Sequence, residues 1–309
     1  PLLRNPSLSG IFNGDIRVQS VYRDQWNSFT NAYRSGSLNA ELKMPVGKSN
    51  DFLTAGIELV YDKAGTAALT TTQWLPALNY HKSLNPARPF YLSLGFMGGL
   101  VQKSIDRSKV TTNNQYDGAA YNPSLADGES FTQAGYSYFD GAFGASINGG
   151  FGEGWANSFY AGMALHHFNR PQNSFYRSQA DALNPRLTFS AGIKFIITEL
   201  SRFTLEGDHT IQGGFRETVG GVLYSYQLGE PGEADYTLHG GTYLRWKDAF
   251  IPVIKLDYQH FSMGLSYDVN ISPLKTVSMG RGGFELSLGW TGFLDRYNSA
   301  RDKVLCPKF

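Results

Sequence analysis

Glu206 and Asp208 stand two residues apart and are followed by His209, the densest acid–base grouping in the chain. Two carboxylates on one face of a strand could divide the roles of general acid and general base. The same spacing also suits a polar wall facing water, and a structural role is the reading preferred here. The six histidines are His81, His166, His167, His209, His239 and His260. His166 and His167 are adjacent, so on a strand their rings point to opposite faces and cannot share a metal ion. Gly280-Arg-Gly-Gly283 is glycine-rich, but it opens a strand, whereas a phosphate-binding loop opens a helix. In Asn5-Pro6-Ser7 the proline blocks glycosylation. Tyr22-Arg23-Asp24-Gln25-Trp26 sets an arginine among aromatics, read as a strand-end girdle with a stacked guanidinium. No Ser/His/Asp set has a spacing that commends it. The expectation is a protein without catalytic, metal-ligating or cofactor-binding residues.

The elements that carry these residues show a two-residue period. In Phe261-Ser-Met-Gly-Leu-Ser-Tyr-Asp-Val-Asn-Ile271 the apolar residues fall at every odd position and small or polar ones lie between. The pattern recurs in about fourteen segments of roughly nine to twelve residues, the length a tilted strand needs to cross an outer membrane. The spacing predicts strands at 15–24, 34–44, 52–62, 69–80, 89–102, 137–150, 155–168, 186–197, 202–211, 218–228, 236–246, 250–258, 261–271 and 283–293. Leu187, Phe189, Ala191, Ile193, Phe195 and Ile197 are expected to face lipid, with Phe195 near mid-membrane. Phe284, Leu286, Leu288 and Trp290 are expected to do so on the last strand. Arg186, Thr188, Ser190, Gly192 and Lys194 face the lumen, as do Glu285, Ser287, Gly289 and Thr291. Further lumen charges are Glu41, Lys43, Glu58, Glu206, Asp208, Lys255, Asp257 and Asp268. Both signs are present, which favours a cross-linked polar interior over an ion-selective pore. The expected fold is all-β: a transmembrane antiparallel β-barrel of about 14 strands.

The connections sort by parity. With the first strand running outward, the even connections are periplasmic and short, as at Gly47–Asn50, Gly152–Gly154, Thr198–Ser201 and Tyr258–His260. The two longest, Lys103–Tyr136 and Asn169–Pro185, both fall outside, which is the bacterial barrel pattern. An even strand count places both termini in the periplasm. Residues 1–294 form the barrel and 295–309 a periplasmic tail. Composition agrees: among 309 residues there are 35 Gly, 18 Tyr and 21 Phe, suited to crowded sheets and aromatic girdles. A net charge of +1 gives no reason to propose nucleic acid. No apolar run approaches the roughly 18 residues of a membrane helix. The single cysteine, Cys306, cannot form an internal disulfide. Pro1-Leu-Leu-Arg-Asn-Pro6 reads as a mature or truncated start, with no signal peptide visible.

Several motifs resemble the PorP/SprF family of outer-membrane proteins of the type IX secretion system. They are Asn5-Pro6-Ser7-Leu8-Ser9-Gly10, Tyr22-Arg23-Asp24-Gln25-Trp26 and Gly56-Ile-Glu-Leu-Val-Tyr61-Asp62-Lys63-Ala64-Gly65. Late in the chain follow Asp257-Tyr258 with Phe261, Gly264, Ser266, Tyr267 and Asp268, then Gly282-Gly283-Phe284-Glu285, and a terminal Cys306-Pro307-Lys308-Phe309. The resemblance implies an outer-membrane barrel of Bacteroidota-type bacteria that assists secretion. It also implies partners: secreted adhesins, and periplasmic or lipoprotein components of the secretion and gliding machinery, beside outer-membrane lipid. The family brings no catalytic residues.

Two functions follow as expectations. The first is a non-enzymatic barrel that binds or anchors a secreted protein outside, or machine components inside. Its candidate contacts are Tyr116, Tyr121 and Asn122 in the first long connection, Tyr176 and Arg177 in the second, and Cys306 and Phe309 in the tail. Tyrosine offers large contact area at low entropic cost, and asparagine adaptable hydrogen bonds. The second is a channel for small or hydrophobic solutes. A channel should have an N-terminal plug or an apolar lumen path, and about a dozen residues before the first strand are too few for a domain.

Overall fold

The computed structural model describes all residues except 26–32, 48–49, 129–132, 176–180, 230–235, 274, 279–280 and 296–309. Fourteen strands follow one another: β1 (Ile16–Gln25), β2 (Tyr33–Pro45), β3 (Phe52–Ala64), β4 (Leu69–Ser83), β5 (Phe90–Ser104), β6 (Gly135–Phe151), β7 (Asn157–His166), β8 (Arg186–Ile196), β9 (Ser201–Gln212), β10 (Phe215–Leu228), β11 (Tyr236–Arg245), β12 (Ala249–Tyr258), β13 (Phe261–Asn270) and β14 (Arg281–Gly292). Each pairs antiparallel with its sequence neighbours, and β1 closes on β14 from Ile16↔Gly292 to Gln25↔Gly283. Closure removes both sheet edges, so the backbone can meet hydrocarbon with its polar groups paired.

Alternation sets the two faces. Phe189, Phe195, Phe284, Leu288 and Trp290 are exposed on the outer wall, while Thr188 and Ser190 are buried inside. In water such a continuous apolar belt would drive association; in a bilayer it is the solvated surface. One depth differs from the sequence reading. Phe195 is the next-to-last residue of β8, and Ala191 is its middle residue, so Ala191 occupies the deepest part of the bilayer. β7 is also shorter than 155–168, because Gly152, Gly154 and Trp155 before it and His167 after it have positive φ. These left-handed residues leave the extended conformation that a strand requires.

Both long connections, 105–134 and 167–185, leave the same rim of the barrel. The opposite rim holds the start of β1 and the end of β14, and its described turns, such as 152–156, 197–200 and 259–260, are short. Two strands contain interior prolines, Pro76 in β4 and Pro252 in β12. Each interrupts one ladder, since proline has no N–H to donate.

Candidate functional site

Residues 1–15 fold into the lumen, so a segment too short to be a domain nonetheless supplies a plug. Asn5 starts a short 3-10 turn, Pro6–Leu8: its Oδ1 accepts from the Ser7 amide at 2.9 Å and the Ser7 hydroxyl at 2.7 Å. Pro6 sits where the turn needs no N–H donor. Gly10 then bends the chain at φ +88°. A Cβ there would lie 2.1 Å from Thr54 Oγ1, so only glycine fits. The motif Asn5–Gly10 is thus the turn chemistry of a plug.

The wall is shaped to receive this turn. Gly95 and Gly144 oppose each other across the β5–β6 ladder. A Cβ on Gly95 would come 2.5 Å from backbone atoms of Pro6 and Ser7, and one on Gly144 2.1 Å from Asn5 Oδ1. Asn79 Nδ2 donates to the Ser7 and Ser9 carbonyls at 2.8 and 2.7 Å. A buried relay runs from Asn148 Nδ2 to Ser93 Oγ, from Ser93 Oγ to His81 Nδ1, and from His81 Nε2 to the Ser9 carbonyl, at 3.0, 2.6 and 2.7 Å. His81 stacks on Phe52 with ring centroids 4.0 Å apart. The bonds from Asn79 and His81 satisfy the Ser7 and Ser9 carbonyls, which would otherwise be buried at a cost. Leu2 packs among Leu75, Ala77, Met97 and Ala142, and Leu8 and Ile11 against Tyr160, apolar patches inside a largely polar lumen.

Charges fasten the remainder. Glu41 is fully enclosed and accepts from Arg17 at 2.7 Å, the Gly10 amide at 2.8 Å and the Ser9 hydroxyl at 3.0 Å. Lys43 Nζ donates to the Phe12 carbonyl at 2.7 Å and lies 4.5 Å from the Phe12 ring centroid. Arg4 crosses the lumen to Glu206 and Asp208, both at 3.4 Å, and to Tyr160 Oη at 2.6 Å. Tyr160 and Tyr243 also donate to Glu206. The Glu206/Asp208 pair is therefore the far anchor of the plug. The interior is the cross-linked mixture of charges expected from the sequence.

Two sequence readings are corrected here. Tyr22 faces outward near Phe284, as a girdle residue would, and Trp26 lies outside the described residues, but Arg23 is no part of that girdle: it faces inward to Asp268 at 2.5 Å. Strand alternation separates it from Tyr22. His166 and His167 do not point to opposite faces, because His167 turns left-handed at φ 56° just past the end of β7. Their rings lie 6.3 Å apart and line one small pocket with Asp140 and Arg186. His166 Nε2 meets the Arg4 carbonyl at 3.2 Å, and His167 Nδ1 meets Asp140 at 2.7 Å. No cluster of three metal-ligating side chains occurs among the described residues.

Of the predicted contact residues, Tyr116, Tyr121 and Asn122 come together. Tyr116 and Tyr121 bridge antiparallel in the first long loop, both more than half or about half exposed. The Asn122 amide donates to the Gln115 carbonyl at 2.7 Å. Asp117 Oδ1 accepts from the Ala119 and Ala120 amides at 3.0 and 2.9 Å. Buried Gln115 ties this miniature hairpin down, bonding the Thr112 amide and the Leu125 carbonyl. Asn122 Oδ1 accepts from the Ser124 amide at 3.0 Å. The second long loop docks on the ends of β5 and β6: Asn173 Oδ1 accepts from Lys103 Nζ at 2.8 Å and Tyr136 Oη at 2.7 Å. Tyr176, Arg177, Cys306 and Phe309 lie outside the described residues. The plug and its seat were not singled out by sequence reasoning; glycines paired at inward strand positions were the available signal.

A closed fourteen-stranded antiparallel wall with an apolar outer belt defines an outer-membrane β-barrel. Solved structures of similar shape include a Pseudomonas aeruginosa FadL homologue, at 10% identity over 92% of this chain and 91% of that one, TM-score 0.51. The monoaromatic hydrocarbon channel CymD matches at 10% identity over 94% and 91%, TM-score 0.50. These likenesses concern the fold. A search of curated proteins finds no match. The family model for the type IX secretion system membrane protein PorP/SprF matches residues 1–290, and the chain belongs to that family.

Proposed function

We propose that this barrel is a non-enzymatic platform of the type IX secretion system, anchoring a secreted surface protein such as an adhesin at its long loops. The observation that carries the reading is the secretion-family match over residues 1–290; the charged network that fastens the lumen from β2 to β9 suits holding better than conducting. The long-loop rim then faces outward and both termini lie toward the periplasm. There, residues 295–309 would form a tail that meets machine components, gliding components among them.

A solute channel is the second reading. It is favoured by the N-terminal plug itself, which a channel is expected to have, by a cavity of about 330 Å³ beside that plug, and by a separate one of about 280 Å³ lined by β1 and β10–β14. Deleting residues 111–125 tests the platform: the barrel should assemble normally, and recovery of the secreted partner from native membranes should fall. Unchanged recovery sinks the binding role. Liposome swelling by small sugars through the intact barrel would favour the channel.

A further inference from the structure

We infer that the β12–β13 seam near Pro252 is a side door through which a membrane acyl chain reaches a cavity in the barrel wall. The two interior prolines provide an internal comparison. At Pro76 the β4–β5 ladder skips from Trp74↔Leu100 to Ala77↔Met97. At Pro252 the β12–β13 ladder skips from Phe250↔Val269 to Val253↔Ser266. What lies behind each gap differs. Behind Pro76, Leu75, Ala77 and Met97 pack on Leu2 of the plug, and the space left beside them is a pocket of only about 30 Å³. Behind Pro252 is the cavity of about 280 Å³, with Val219, Ile251 and Val253 as an apolar wall and Arg23, Arg245 and Lys255 among its polar groups. Asp268 and Glu285 line it too, so charges of both signs face an apolar wall, an arrangement that suits the tail of an amphiphile whose polar head meets those charges.

The next seam is irregular at the same level. The β13–β14 register shifts between Asp268 and Val269, so β13 is held weakly on both sides there. Side chains replace the missing ladder. The Asp268 carboxylate accepts from Arg23 of β1 at 2.5 Å and from Arg245 of β11 at 3.3 Å. The first bond spans β14 and the second spans β12. This clamp holds the door shut, and its partners line the cavity the door would open. The door opens sideways into the membrane half nearer the long loops, so it is independent of the plug and of the anchoring role.

Two measurements on the full chain test the proposal. In wild-type barrel, amide exchange at Val253 and Ser266 should be about tenfold faster than at Ala77 and Met97, since only the latter pair is backed by core. Pro252→Ala should erase that difference. Next, a fluorophore on Val253→Cys, in a Cys306→Ser background, is followed in nanodiscs of brominated-chain phospholipid. Asp268→Asn, or Arg245→Gln if the first does not assemble, should raise quenching severalfold. Equal exchange beside both prolines overturns the proposal. So does lumen quenching that neither variant changes while a fluorophore on Leu265→Cys, facing lipid, is quenched.

Discussion

Gly95 and Gly144 lie under the plug as a flat floor, and the two differ in what a side chain there would strike. At Gly95 the obstacle is backbone of Pro6 and Ser7, which cannot swing aside; at Gly144 it is the end of the Asn5 side chain. Gly95→Val should therefore displace the plug, while Gly144→Ala forces a smaller adjustment. Overpacking of this kind costs about 1–3 kcal/mol. Asn79→Ala removes a donor shared by two buried carbonyls, but Ser146 Oγ still reaches the Ser7 carbonyl and His81 the Ser9 carbonyl, so the cost should be about 0.5–1.5 kcal/mol per lost bond. Thermal unfolding of the purified barrel in detergent would check the order Gly95→Val worse than Gly144→Ala. A Gly95→Val barrel as stable as wild type would mean that the plug is not seated on β5. On the lipid side, Ala191→Arg at the middle of β8 should cost about 2–4 kcal/mol, and Phe195→Arg near the rim about 1 kcal/mol or less. Reversible folding into lipid would measure both, and equal costs would refute the depth assignment.

The strands were legible because their period is two and every alternate residue meets one solvent, lipid or lumen. The loop parity was legible for the same reason, since it needs only the strand count. The plug was not. Its residues have no period, and its seat is scattered over Thr54, Asn79, His81, Gly95 and Gly144, on four successive strands whose register only the folded sheet supplies. His167 escaped because one left-handed residue cancels alternation. The first long loop is an element in its own right, and its acids show how it is held. Lys109 and Ser108 hydrogen-bond to Asp106 and pull its carboxyl from the usual 3.8 down to about 2. The Ala120 and Ala119 amides likewise lower Asp117. Each folded-state value lies below the unfolded one, so the contribution to loop order is complete above about pH 4 and is lost as pH falls toward 2. Pepsin cleavage between 105 and 128 should accordingly rise between pH 4 and pH 2. Asp106→Asn should show part of that susceptibility already at pH 4. A cleavage rate flat across this window would show that these carboxylates do not order the loop.

At the scale of the whole molecule, the plug joins opposite walls that the sheet alone connects only around its circumference. Lys43 and Glu41 of β2 hold one end of it, and Glu206 and Asp208 of β9 hold the other through Arg4. The Leu294 amide donates to Asp15 at 2.8 Å, tying the base of the plug to the end of β14. Wall and plug are thus one folding unit in which each satisfies the other's buried polar groups. Replacing residues 2–12 by a Gly/Ser segment of equal length separates their roles. Leu2 leaves its apolar site, at a cost of about 1.5–3 kcal/mol for that side chain alone. Glu41 and Lys43 lose partners inside the lumen, and water must enter to solvate them. The barrel should still reach the membrane, because its outer belt and closure are untouched, but its thermal midpoint should fall and small sugars should now pass. Capture of the secreted partner should persist if the loops are the contact, since they stand on the opposite rim from the base of the plug. Swelling and partner recovery measured on the same preparation would decide it. Lost capture in a well-assembled, leaky barrel would move the binding site from the loops into the lumen.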